Sequence, residues 1–141
     1  MPAVAKHRQP IIDASVTLFR RQGYPGTGLN EIVEASGAPK GSLYYYFPDG
    51  KASIAVAAID EASERVAQTL NELSKTCKTT GELLIAHAAL LSKWMRASGF
   101  RDGCPVTTIL LEMAPGHRQV TEAGRRAYVS RLTILAEKLV A

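Results

Sequence analysis

Cysteine is scarce in this chain of 141 residues: Cys77 and Cys104 are the only two, and they form no close Cys-x-x-Cys pair. That argues against a disulfide framework and against a zinc site, and no metal or other cofactor is expected. Long apolar runs are also missing. Nothing approaches the roughly 20 residues of a membrane span, and no charged-then-apolar signal opens the chain. The expected location is the cytoplasm, without a membrane partner. Aromatic residues make up only 6%, and no segment sustains the alternation of a β-strand. Neither sign of charge dominates: 17 Lys/Arg against 13 Asp/Glu leave +4, too little to argue for nucleic acid by itself. No Ser/His/Asp arrangement or ring of paired carboxylates stands out. Gly50-Lys51 is followed by Ala52 and lacks the upstream glycine of a phosphate loop. No catalytic residue is assigned, and an enzyme is not expected.

What is present reads as helix. Hydrophobic residues are 46% and charged residues 21%, ordinary for a soluble globular protein. Gln9 to Gln22 carries Ile12, Val16 and Phe19 on one stripe, and Gly23 stops it. Tyr24 to Gly28 is a turn. Glu31 lies three residues beyond Gly28, as in a capping box whose N-cap hydroxyl is replaced by glycine. Pro48-Asp49-Gly50 is a second break. A long helix follows from Lys51 to about Cys77, with Ile54, Ala58, Ala62, Val66 and Leu70 in register. Thr79 or Thr80 caps a helix to about Ser98, Val106 to Ala114 forms a short apolar one, and His117 to Ala141 forms the last. On that last helix Val120, Tyr128, Leu132, Leu135 and Leu139 are expected to face inward. The fold class is all-α, with a three-helix head over residues 1–50 and a helical body over residues 51–141. Lys6, His7 and Arg8 form a basic arm.

The stretch from Gly28 to Phe47 carries the most information. It has the layout of a helix-turn-helix: Leu29, Ile32 and Val33 line one buried face before the turn, and Leu43 and Phe47 line another after it. Gly37 stands where a steep joint between helices needs a positive φ. The outward face of the second helix then offers Lys40, Ser42, Tyr45 and Tyr46, a cation, a hydroxyl and two phenols suited to phosphates and base edges.

Taken together, Phe19-x-x-x-Gly23-Tyr24, Leu29-x-x-Ile32-x-x-x-x-Gly37, Lys40-Gly41-Ser42-Leu43-Tyr44-x-x-Phe47 and Lys51 resemble the TetR family of bacterial transcriptional regulators over residues 9–56. The Phe-Pro-Asp-Gly-Lys link, with Gly103-Cys104-Pro105-Val106 and Leu111-Glu112, is similar to the branch related to LmrA and YxaF. The resemblance implies a homodimer that places each third helix in a major groove of double-stranded operator DNA. The body would hold a small apolar or cationic effector. Carried over position by position, the DNA-binding residues are Lys40, Gly41, Ser42, Tyr44 and Tyr45 on the recognition helix, with Tyr46 and Lys51 on phosphates. Gly28 stands where the family has Ser or Thr, so that phosphate contact is expected to shift to Thr27 or to backbone N–H groups. The link before Lys51 is one residue longer than in most of the family. The family also has two further C-terminal helices that build the dimer, and the expectation is that this part is missing from the chain.

In the body, Trp94, Met95, Phe100, Glu112 and Met113 are candidate effector-pocket residues, although ordinary helix packing explains the apolar four equally well. Glu112 on an apolar helix is expected to be buried and to need a partner, with Arg125 or Arg126 favoured over a cationic ligand. His87 is expected as a satisfied core histidine. No cation near Cys104 in sequence argues for a reactive thiol. The function expected is a repressor released by an effector. The alternative is an effector-binding helical protein that acts through protein partners with little DNA affinity, supported by Gly28 and the longer link.

Overall fold

The computed structural model describes residues 6–140, and all regular structure among them is helical. In chain order the helices are α1 (Arg8–Gln22), α2 (Leu29–Ser36), α3 (Lys40–Tyr46), α4 (Lys51–Ser74), α5 (Thr80–Ala97), α6 (Pro105–Met113) and α7 (Arg118–Val140). The ends of the expected head and body, residues 1–5 and 141, lie outside the described residues. The expected and observed helix ends differ most at α4, which stops at Ser74 rather than near Cys77. Lys138 of α7 explains where that end sits: its ammonium donates to the Ser74 and Cys77 carbonyls at 3.1 and 2.7 Å. The Ser74 carbonyl is an acceptor that the helix terminus leaves without an intrahelical donor, and the Cys77 carbonyl lies in the turn just beyond it.

The head closes on side chains of matching period. Ile11, Ile12, Val16 and Phe19 of α1, Ile32 of α2, Leu43 of α3 and Phe47 behind it are all buried. Ser15 is buried among them at no polar cost, since its hydroxyl donates to the Ile11 carbonyl at 2.7 Å. The same buried cluster continues into α4 (Ile54, Ala55, Ala58, Ile59, Ala62), α6 (Val106, Ile109) and α7 (Val120, Ala123, Ala127). Gly50 therefore marks a change of helix and not a gap in the core.

The pairing of α4 with α7 is the most extensive in the molecule, and it corrects the expected inner face of α7. The buried residues there are Val120, Ala123, Gly124 and Ala127, whereas Tyr128, Leu132 and Leu139 are exposed. Alanines along α4 let the two backbones approach, and only small residues fit opposite them. Close approach also governs α6: a Cβ on Gly124 would lie 2.5 Å from both methyls of Leu110. On α5 Leu83 is fully buried, while Leu84, Leu91, Trp94 and Met95 are exposed. His87 is not the satisfied core histidine expected: its Nε2 is buried without a partner. Burial, and then the nearby Arg131 charge, push its pKa down, which favours the neutral imidazole.

Candidate nucleic-acid interface

Three glycines shape the head. Gly23 ends α1 with φ +80°, its N–H donating to the Phe19 carbonyl at 2.9 Å. Gly37 ends α2 in the left-handed region at φ +68°, the geometry expected of the joint. Gly50 precedes α4 at φ +88°. Between Gly37 and α3, the Ser36 hydroxyl accepts the Ala38 N–H at 3.1 Å, and Pro39 sits at the N-cap. At the start of α2 the Gly28 N–H donates to Glu31 Oε1 at 3.2 Å, one half of a capping box, since glycine has no hydroxyl to return. Gln22, also bonded to Glu31, is the first cause and the Gly28 N–H the second that hold the Glu31 carboxyl below its usual range.

With Leu43 and Phe47 turned into the core, α3 exposes Lys40, Gly41, Tyr44 and Tyr45, and leaves Ser42 half-buried. Tyr45 is the most open of the aromatics there, at 68%. Lys51 starts α4 with its ammonium 4.3 Å from the centre of the Tyr24 ring, a cation–π distance. Arg8, from the expected arm, opens α1 and stands 5.7 Å from the Phe47 ring.

Two of the expected phosphate contacts face the wrong way. Thr27 is 1% exposed, and its hydroxyl donates to the Gly23 carbonyl at 2.7 Å. It closes the turn instead of replacing the missing hydroxyl at Gly28. Tyr46 packs edge-on against Tyr45 at 5.2 Å, and its own hydroxyl is buried without a partner. Gly28 itself is exposed.

Comparison with known proteins decides what this head belongs to. The profile of "Bacterial regulatory proteins, tetR family" matches residues 11–58. That of "Transcriptional regulator LmrA/YxaF-like, C-terminal domain" matches residues 80–141. The HTH-type transcriptional regulator LmrA of Bacillus subtilis is 37% identical over 132 residues, 94% of this chain and 70% of LmrA. This chain belongs to the TetR family. It is a DNA-binding transcriptional regulator with the all-α TetR fold. The negative transcriptional regulator IcaR of the Staphylococcus aureus icaADBC biofilm operon is 47% identical over 47 residues, 33% of this chain and 25% of IcaR. The solved regulatory protein TetR from Rhodobacter sphaeroides superposes with a TM-score of 0.77 at 28% identity, over 86% of this chain and 64% of that one.

Within this TetR-family body the five pocket candidates differ in exposure. Trp94, Met95 and Phe100 are exposed, Phe100 with φ +63°. Met113 packs against the buried core. Glu112 is exposed and pairs with neither Arg125 nor Arg126. Its carboxylate accepts the Tyr24 N–H at 2.6 Å, because α6 runs alongside the end of α1. Arg126 instead bonds Asp60 of α4 at 3.1 Å. A cavity of about 540 Å³ opens elsewhere, between the turn before α4 and the start of α7, lined by Asp49, Ser53, Arg118, Glu122 and Arg126 among others.

Two features were beyond sequence spacing. Asp102, in the loop after α5, bonds both Arg20 and Arg21 at 2.9 and 2.8 Å. The hydrogen bond from Arg21, with the two guanidinium charges, holds its carboxyl below the usual range. Cys104, at the N-cap of α6, has Arg131 Nη2 4.0 Å from its sulfur, a cation 27 residues away. Burial pushes this thiol up, but hydrogen bonds from Thr107 and the Arg131 charge outweigh it, and its pKa is lowered. Among the described residues no group of three or more His, Cys, Asp or Glu is placed to hold a metal ion. No helix among them is long and apolar enough to cross a membrane.

Proposed function

We propose that this regulator is a repressor that binds a palindromic operator as a dimer, with α3 in the major groove, and is released by a small apolar or cationic effector held by the body helices. The exposed Lys40, Tyr44 and Tyr45, on a helix whose other side is anchored by Leu43 and Phe47, carry this reading. They give a rigid reading surface with one cation and two phenols. Lys51, beside the N-terminus of α4, supplies a phosphate contact that is independent of sequence. Trp94 and Met95 offer the exposed apolar surface for an effector. The repressor sense agrees with the IcaR relative, a negative regulator by name. In the cell the protein works in the cytoplasm.

The test is a salt series of binding to a pool of random duplexes, followed by sequencing of what is retained. A palindrome with half-sites about one helical turn apart supports the dimeric repressor. Retention without an enriched motif refutes specific reading by α3. Absence of retention at low salt returns the protein to the partner-protein alternative. On the selected site, Lys40→Ala and Tyr45→Ala each cost about 1–3 kcal/mol. A loss below about 0.5 kcal/mol for both removes them from the reading face.

A further inference from the structure

Residues from two distant parts of the chain meet at the turn after α1. From α6, Glu112 accepts the Tyr24 N–H at 2.6 Å. From the start of α4, the Lys51 ammonium lies 4.3 Å from the centre of the Tyr24 ring, and the same ring stacks on Phe19 at 5.8 Å. The turn is shaped to admit the carboxylate. A Cβ on Gly23 would overlap Glu112 Oε1 and stand 3.0 Å from Oε2. The opposite end of α6 is held too: Asp102 bonds Arg20 and Arg21, and the Gly103 N–H donates to the Arg20 carbonyl at 3.2 Å. The Tyr24 backbone is thus tied to α6, and its ring lies against both Phe19 and Lys51.

We propose that Glu112 is a positioning residue for DNA binding. By holding Tyr24 it keeps the ring in place as a platform, and the platform sets where the Lys51 ammonium meets a backbone phosphate. The proposal rests on the reading of Lys51 as a phosphate contact. A free lysine side chain spreads over many rotamers. One held over an aromatic face is confined to a sector, and less order remains to be imposed when the phosphate arrives. The ammonium keeps donors for that phosphate, since the ring occupies only one side of it.

Two readouts test this on the full chain. The first needs no DNA: the Lys51 ε-methylene protons, lying over the ring, are shifted upfield in the NMR spectrum. Glu112→Ala collapses that shift, and Glu112→Gln, which keeps an acceptor oxygen, retains most of it. The second is binding to mixed-sequence duplex across a salt series. Lys51→Ala weakens binding and flattens the salt slope by about one. Glu112→Ala weakens binding by about threefold, flattens the slope in the same direction, and adds nothing in the Lys51→Ala background. An unchanged Lys51 shift in Glu112→Ala overturns the proposal. So does an equal loss with and without Lys51, which marks a general structural effect, or tighter binding by Glu112→Ala, which marks the ring as withholding the lysine. If Lys51→Ala changes neither affinity nor slope, the phosphate reading fails and the DNA role of Glu112 falls with it. The NMR shift then still reports whether Glu112 sets the lysine.

Discussion

The head and the outer body treat large apolar side chains in opposite ways. In the head, Ile11, Phe19, Ile32 and Leu43 are fully buried and Phe47 nearly so. On the outer body, Ile85 is 73% exposed, Leu111 80% and Leu132 65%, although each sits on a regular helix. The difference lies in what faces each helix. The two short helices α2 and α3 pack on α1, and α4 and α6 cover its remaining sides, whereas Ile85 of α5, Leu111 of α6 and Leu132 of α7 stand on helix faces turned away from the neighbouring helices. Amphipathic spacing says which residues can be buried together; it does not say how many faces of a helix find a neighbour.

The contrast predicts a large asymmetry in stability. Phe19→Ala should lower the unfolding free energy by about 3–5 kcal/mol in denaturant titrations, through lost burial and an unfilled cavity. Leu132→Ala should stay within about 0.5 kcal/mol, as a surface change does. Comparable losses at the two positions would erase the distinction between the regions.

A second substitution probes the seam where head and body meet. Gly23→Ala places a side chain at φ +80° and into Glu112, and should cost about 1–3 kcal/mol of backbone strain. A neutral result would mean that the turn relaxes freely and that the seam does not depend on Gly23.

Asp102 tests the same seam through charge. Asp102→Asn should destabilise by about 1 kcal/mol, because it removes the negative charge and one of the two acceptor oxygens that bond Arg20 and Arg21, guanidinium groups that are themselves partly exposed. The folded-state pKa of Asp102 is depressed, so its contribution is complete above the unfolded carboxylate value near about 4. It is lost as pH falls through the lowered folded value. Urea midpoints of wild type and Asp102→Asn should therefore differ at neutral pH and converge in acid. A gap that widened on acidification would contradict the sign.

The smallest effect concerns the thiols. Cys104 is exposed and its pKa is lowered, while Cys77 is half-buried. Iodoacetamide should modify Cys104 first, and Arg131→Met should slow it by about threefold, through a reduced thiolate fraction. Equal rates at the two cysteines would show that Arg131 does not act on the sulfur.

Much of the head was legible in the residues because its structure is local. Each of its helices is bounded by a glycine or proline with a conformational reason to be there, and each apolar stripe repeats at helical spacing. Lys40, Tyr44 and Tyr45 emerge exposed because Leu43 and Phe47, their neighbours on a short helix, fix which side turns inward. Thr27 and Tyr46 depart from the expected exposure for a complementary reason. A hydroxyl bonds whichever acceptor the turn brings to it, and for Thr27 that is the Gly23 carbonyl. Whether a phenol reaches solvent depends on packing from other helices.

Helix order, the two breaks around the helix-turn-helix and the family resemblance all follow from short-range pattern, since propensity, capping and positive φ act within a few residues. The partner of Glu112, the cation beside Cys104, the pair of arginines on Asp102 and the inner face of α7 required the fold. Each depends on residues dozens of positions apart in the chain, and only the packing of α4, α6 and α7 brings them within reach of a hydrogen bond, a charge or a methyl group.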